Sequence, residues 1–142
     1  REHLLEVTAL LSDGSEVVFT SVSREEFNRK CENQNLEGNI DKTVRSLLSN
    51  PGNQAEITRE FPKKSIERRN TGYALDQLMD AVPFFEGRPD FNFCKLIAGS
   101  EGTLALLTEI KLNVVPLPPA ETGLLCVHFN SIDESLRANL MA

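Results

Sequence analysis

The residues whose types and spacing could do chemistry lie in one stretch, Gly99-Ser100-Glu101-Gly102-Thr103. An apolar run (Phe93, Cys94, Leu96, Ile97) precedes it. An alternating run follows through Leu104, Leu106, Leu107, Ile110, Leu112, Val114 and Val115. Glycine at both ends permits positive φ and leaves no Cβ to hold a ligand away. Such a turn can aim successive N–H groups at an anion or a flat ring. The same spacing also serves as a plain connector between two core elements, so it marks a site without naming a ligand. No Gly-Lys-Ser/Thr follows, which rules out a Walker-type phosphate loop. The fingerprint Gly-x-Gly-x-x-Gly is missing too, and the downstream segment reads as strand where that motif needs a helix.

A second candidate is the basic cluster Arg59, Lys63, Lys64, Arg68 and Arg69, which runs into Asn70-Thr71-Gly72-Tyr73. It reads either as a solvated face or as an anion-facing loop toward phosphate or a carboxylate. The three cysteines, Cys31, Cys94 and Cys126, are far apart and show neither Cys-x-x-Cys nor paired Cys/His spacing. Buried thiols in a reducing compartment are expected, and no metal site. His128 sits in an apolar strand pattern and reads as structural.

At 142 residues the chain has room for one modest core. Its net charge of −6 argues against a nucleic-acid partner. No apolar run approaches the roughly 18 residues that span a bilayer. The expected location is the cytoplasm, free or at a membrane surface. The chain begins at Arg1 without methionine and ends inside a helical pattern, which suggests a piece of a longer protein.

The elements that must position these residues follow from patterning. Leu4–Leu11 and Glu16–Thr20 read as strands joined at Ser12-Asp13-Gly14-Ser15, a hairpin. Ser23 with Glu26 three residues on is a capping box that starts a helix to about Cys31. Ile40, Val44, Leu47 and Leu48 recur at helical spacing, and this helix stops near Asn50-Pro51-Gly52. A short helix from about Asn53 to Glu60 and a helical pattern through Leu75, Leu78 and Met79 follow. Residues 80–90, with Pro83, Gly87 and Pro89, read as a surface loop. A strand runs from Thr103 to about Val115, and Pro116-Leu117-Pro118-Pro119 breaks it. Gly123–Phe129 reads as a further strand, and Ser131 or Asp133 as the cap of a last helix.

Three blocks in this order resemble the FAD-linked oxidase family, of the vanillyl-alcohol oxidase or p-cresol methylhydroxylase type. Within that family the blocks look like the D-lactate dehydrogenase and glycolate oxidase branch. The blocks are Val7-Thr8-Ala9-Leu10-Leu11-Ser12-Asp13-Gly14, Arg69-Asn70-Thr71-Gly72-Tyr73-Ala74-Leu75, and Gly99 through Glu109. The Val-Pro-Leu-Pro-Pro exit fits as well. Ala105 stands where many relatives have glycine, and Ala74 where many have aspartate.

The resemblance implies an α+β fold, an antiparallel sheet with flanking helices, forming the second lobe of a two-lobed FAD-binding domain. Residues 1–119 would be that lobe, and 120–142 the start of a truncated cap or substrate domain. It implies FAD as cofactor, held by Gly99, Ser100, Glu101, Gly102, Thr103, Asn70, Thr71 and Gly72. Ser100 and Thr103 would donate hydroxyl hydrogens. Glu101 would either accept from backbone N–H groups or sugar hydroxyls, or simply tie the turn together. Tyr73 would pack. No residue is assigned as catalytic, since the flavin carries the redox chemistry.

The parent protein would oxidise a small 2-hydroxy acid of the lactate, glycolate or 2-hydroxyglutarate type to the 2-oxo acid. Electrons would pass to an unspecified acceptor. The first FAD lobe and the cap of the parent chain would be its partners. The rival reading is an inert fragment or interaction module that does not bind FAD alone and self-associates through its uncovered apolar face. A second rival, an unrelated phosphate-binding fold, requires a helix after Thr103.

Overall fold

Period-two alternation puts Val7 and Ala9 of strand β1 (Leu4–Leu10) on one face, where both are buried. The structure is a computed structural model describing residues 1–66 and 72–140. The chain reverses at Ser12–Ser15, where Gly14 takes φ +82° and Asp13 Oδ1 accepts from the Ser15 N–H at 2.9 Å and from its hydroxyl at 2.6 Å. It returns as β2 (Glu16–Phe19), paired antiparallel with β1.

Helix α1 (Arg24–Lys30) starts where Ser23 Oγ accepts from the Glu26 N–H at 3.2 Å. Acidic residues fill its first turn and basic ones its last, complementing the helix dipole. Asn35 caps α2 (Leu36–Ser49) by accepting from Gly38 N–H at 2.9 Å. Pro51 ends that helix and opens α3 (Pro51–Glu60), because the first helical position needs no N–H donor and Asn50 supplies the cap. Sequence reading started α3 about two residues late for this reason. The short helices α4 (Leu75–Met79) and α5 (Cys94–Ile97) follow.

Strand β3 (Leu106–Leu112) pairs antiparallel with the free edge of β1, giving the order β2-β1-β3. Helix α6 (Ile132–Asn139) is capped by Ser131, which accepts from Glu134 N–H at 3.2 Å. The expected α+β fold, a three-stranded antiparallel sheet with flanking helices, is therefore observed.

The core lies between the helices and the Val7/Ala9/Val17/Phe19 face of the hairpin. Aromatic rings hold it together: Phe27–Phe91 at 4.3 Å, Phe91–Phe93 at 4.9 Å and Phe19–Phe93 at 5.3 Å between centroids. The 80–90 loop is exposed at its tip and anchored at its base by buried Ala81. Just beyond it, Phe91 exchanges backbone hydrogen bonds with Val22 at 2.9 and 3.1 Å.

Several expectations need correction. Gly123–Phe129 forms no strand; among the described residues no strand pairs with it and no backbone hydrogen bond joins it to a neighbour. β3 is shorter than Thr103–Val115, because its pairing with β1 stops at Leu106 and Leu112. In α2 Leu47 is exposed, while Asp41 lies inside with Leu48. Cys31 and Cys94 are buried as expected, but Cys126 is exposed. His128 is exposed and outside any strand. No helix among the described residues is long and apolar enough to cross a membrane.

Candidate functional site

The Gly99–Thr103 stretch folds as a tight turn between α5 and β3. Ser100 N–H donates to Ile97 O, and Thr103 N–H donates back to Ser100 O, both at 3.0 Å. Between them Glu101 (φ 51°) and Gly102 (φ 77°) both occupy the left-handed region, as the two central residues of a type I′ turn do. For Glu101 that conformation costs roughly 1–2 kcal/mol. Gly99 also has positive φ, 127°. No described residue accepts from the amides of Glu101 and Gly102. Two successive N–H groups in an exposed, left-handed turn are the ingredients of an anion-binding nest.

Side chains fix the turn from below. Thr103 donates its hydroxyl hydrogen to Ser100 O at 2.5 Å. A hydroxyl has one hydrogen, so the 2.6 Å contact between Thr103 Oγ1 and the Tyr73 hydroxyl is a donation from Tyr73. Thr103, rather than Glu101, thus ties the turn, and Tyr73 does more than pack. Ser100 is buried and Glu101 exposed.

Gly72 (φ 65°) lies on the far side of Tyr73, so the structure brings the second and third sequence blocks together. Asn70 and Thr71, expected in the same site, lie outside the described residues, as do Arg68 and Arg69 of the basic cluster. Of its remaining members, Arg59 pairs with Glu56 (2.5 Å) and Glu60 (2.7 Å), and Lys64 with Asp80 (2.7 Å). Two members of the cluster are thereby engaged by carboxylates.

Sequence reading missed Arg1. Its Nε donates to Ala98 O at 2.6 Å and its Nη2 to Gly72 O at 2.5 Å. One guanidinium therefore joins the two loops, and no periodicity or spacing signal could have marked it. Beside the turn, a cleft of about 480 Å³ is lined by Gly102, Ala105, Leu106 and the hairpin residues Leu10, Leu11 and Ser12. Its walls are mainly apolar, it is shallow and open to solvent, and Gly102 presents no side chain to it.

Neither buried thiol is poised as a nucleophile. Burial pushes the Cys94 thiol up to about 11, and its Sγ donates to Phe19 O at 3.3 Å. Burial also raises Cys31. The most displaced carboxylate, Asp41, sits in α2 facing α1, outside this site. Burial raises it to about 6, against the pull of Lys30 and with a smaller push from Glu37.

No protein-family model matches the chain, and no solved structure matches it. It is 30% identical over 137 residues to a D-2-hydroxyglutarate dehydrogenase of Pseudomonas putida, covering 96% of this chain and 12% of that protein. The Haemophilus influenzae protein of the same name is 27% identical over 136 residues, 95% of this chain and 12% of its own length. That of Escherichia coli is 36% identical over 81 residues, 57% and 7%. Along nearly its whole length, then, this chain is similar to proteins named D-2-hydroxyglutarate dehydrogenase, and it spans about 12% of theirs.

Proposed function

We propose that this chain is the second lobe of the FAD-binding domain of an FAD-dependent oxidoreductase that oxidises a D-2-hydroxy acid, 2-hydroxyglutarate by similarity, to the 2-oxo acid. The carrying observation is the left-handed Glu101-Gly102 turn, whose amides find no acceptor among the described residues. Similarity to the named dehydrogenases supports the substrate class. The strand after the turn disfavours the unrelated phosphate-binding fold, which needs a helix there.

The residues present fit a dinucleotide. The amides of Glu101 and Gly102 would hold phosphate oxygens, and the apolar surface beside Gly102 would lie against a ring. The Glu101 carboxylate is repelled by phosphate, so its place is against ribose hydroxyls. Ser100 and Thr103 hold the turn, since the Thr103 hydroxyl hydrogen is already given to Ser100 O. Asn70, Thr71 and Gly72 are proposed as further cofactor contacts; of these Gly72 is within the described residues, joined to the turn through Arg1 and the neighbouring Tyr73. When bound, FAD would supply the two-electron acceptor for oxidation of the hydroxy acid. In this reading residues 1–119 form the lobe, 120–142 open the cap, and the first lobe and the rest of the cap belong to the parent protein.

The test is FAD titration of the purified chain by flavin fluorescence, beside the full-length protein. Yellow full-length protein that reduces its flavin with D-2-hydroxyglutarate is the expected result. Full-length protein that cannot take up FAD would sink the reading. Binding by full-length protein alone would place the site between two lobes, because a half-site lacks much of the contact surface.

A further inference from the structure

We propose that Arg1 is a positioning residue of this site: its guanidinium sets the spacing between the Gly72 loop and the Gly99–Thr103 turn on which cofactor binding depends. The inference rests on the FAD reading above and extends it to a residue that no motif marked.

Three observations carry it. Arg1 reaches two backbone carbonyls far away in sequence, Gly72 O and Ala98 O, and its side chain is only 15% exposed. Both carbonyls belong to segments with positive-φ glycines, which impose little stiffness of their own. Moreover, a Cβ on Gly99 would lie 2.5 Å from Arg1 Nη2, so the glycine makes room for the guanidinium as well as for the backbone bend. A glycine at this point therefore has a purpose inside the protein, next to its openness toward a ligand.

The physics favours arginine specifically. Its planar fork presents donors in fixed directions and stays charged at every accessible pH, so one group bonds two carbonyls at once. Lysine offers a point charge on a flexible stem and loses the fixed angle between the two bonds. On the opposite side of the turn, the Tyr73 hydroxyl to Thr103 Oγ1 bond makes a second, weaker tie between the same two segments. With both in place, the Glu101 and Gly102 amides are held at one distance from Gly72 before any ligand arrives. Preorganisation of this kind raises affinity by removing ordering cost on binding.

The experiment uses the full-length protein and compares wild type with Arg1→Ala, Arg1→Lys and, as a charge control, Arg24→Ala. Arg24 pairs with Glu86 at 2.7 Å on the far loop and lines no part of this site. FAD affinity is measured by equilibrium dialysis, the visible circular dichroism of the bound flavin reports its setting, and Tm reports folding. Arg1→Ala is expected to weaken FAD by at least about tenfold, the scale of one lost charge-assisted hydrogen bond. Its flavin dichroism should change, and millimolar methylguanidinium should restore both affinity and spectrum. Arg1→Lys should lose affinity too, while Arg24→Ala should bind as wild type does.

Should Arg1→Ala fail to fold, Arg1→Lys with its spectrum decides the question. The proposal is overturned if both Arg1 variants bind FAD within twofold of wild type, or if Arg24→Ala loses as much. It is also overturned if methylguanidinium restores nothing in a folded Arg1→Ala. Wild type that binds FAD beside unaffected Arg1 variants removes the positioning role and leaves the FAD reading standing. Wild type that binds no FAD removes both.

Discussion

Val7 and Ile110 are cross-strand partners on β1 and β3 and so share one face of the sheet, yet Val7 is 1% exposed and Ile110 56%. The same contrast recurs one step along, where half-buried Leu4 pairs with Leu112, 58% exposed. The helices cover the hairpin half of the sheet and stop near Leu107, the last β3 residue packed on the core. Beyond it, Val114, Val115 and Leu117 are exposed as well. The lesson is that alternation fixes which side chains share a face, while another element must arrive to bury them. Burial is worth roughly 1.5–3 kcal/mol for a side chain of this size, so an uncovered Ile110 contributes little to stability here.

The sharpest way to break this comparison is a pair of truncations measured by urea denaturation of the chain. Phe91→Ala should cost about 3–5 kcal/mol, since the ring is 1% exposed and packs against Phe27, Phe84 and Phe93. Ile110→Ala should cost under about 1 kcal/mol. Equal costs would mean that β3 is covered in solution and the two halves do not differ.

A smaller effect probes the covered half from inside. Asp41 is buried, its Oδ2 has no hydrogen-bond partner among the described residues, and burial raises its pKa to about 6 from 3.8. A carboxyl whose folded pKa lies above its unfolded value costs stability wherever it is ionised, above about pH 6, and the cost fades as pH falls toward 4. Asp41→Asn should therefore stabilise the chain by about 1–3 kcal/mol at pH 8, with the gain shrinking by pH 5. A constant gain across that range would mean the buried carboxyl does not titrate in this window.

The smallest change in stability belongs to the open half. Replacing Ile110 and Leu112 by lysine should shift folding by no more than about 0.5 kcal/mol each. The same double substitution should move the chain from self-associated to monomeric in sedimentation velocity, because an exposed apolar edge strand invites pairing. Loss of folding in that variant would show the face to be buried after all.

Local hydrogen bonds explain which parts were legible beforehand. The hairpin turn closes through Asp13 and Ser15, two residues apart, and the caps Ser23 and Ser131 each reach three residues forward. Partners that close are visible in the chain order itself. Gly123–Phe129 misled because its apolar run is genuine, but a strand needs a neighbour, and Leu124 and Leu125 stand exposed without one among the described residues. Asp41 escaped notice because a charged residue among apolar ones reads as surface until the neighbouring helix is in place.

The candidate site divides in the same manner. By itself the sequence determined the turn: two glycines around Ser100 and Glu101, an apolar run before and a strand after, with backbone freedom to enter the left-handed region. Only the tertiary structure decided what holds that turn and what stands beside it. Tyr73 lies 30 residues from Thr103, and Arg1 lies 71 and 97 residues from the carbonyls it joins. Such contacts exist because α5 packs against both β1 and α4, which carries Ala98 and the turn after it to Arg1 and Tyr73, and spacing along the chain carries no record of them.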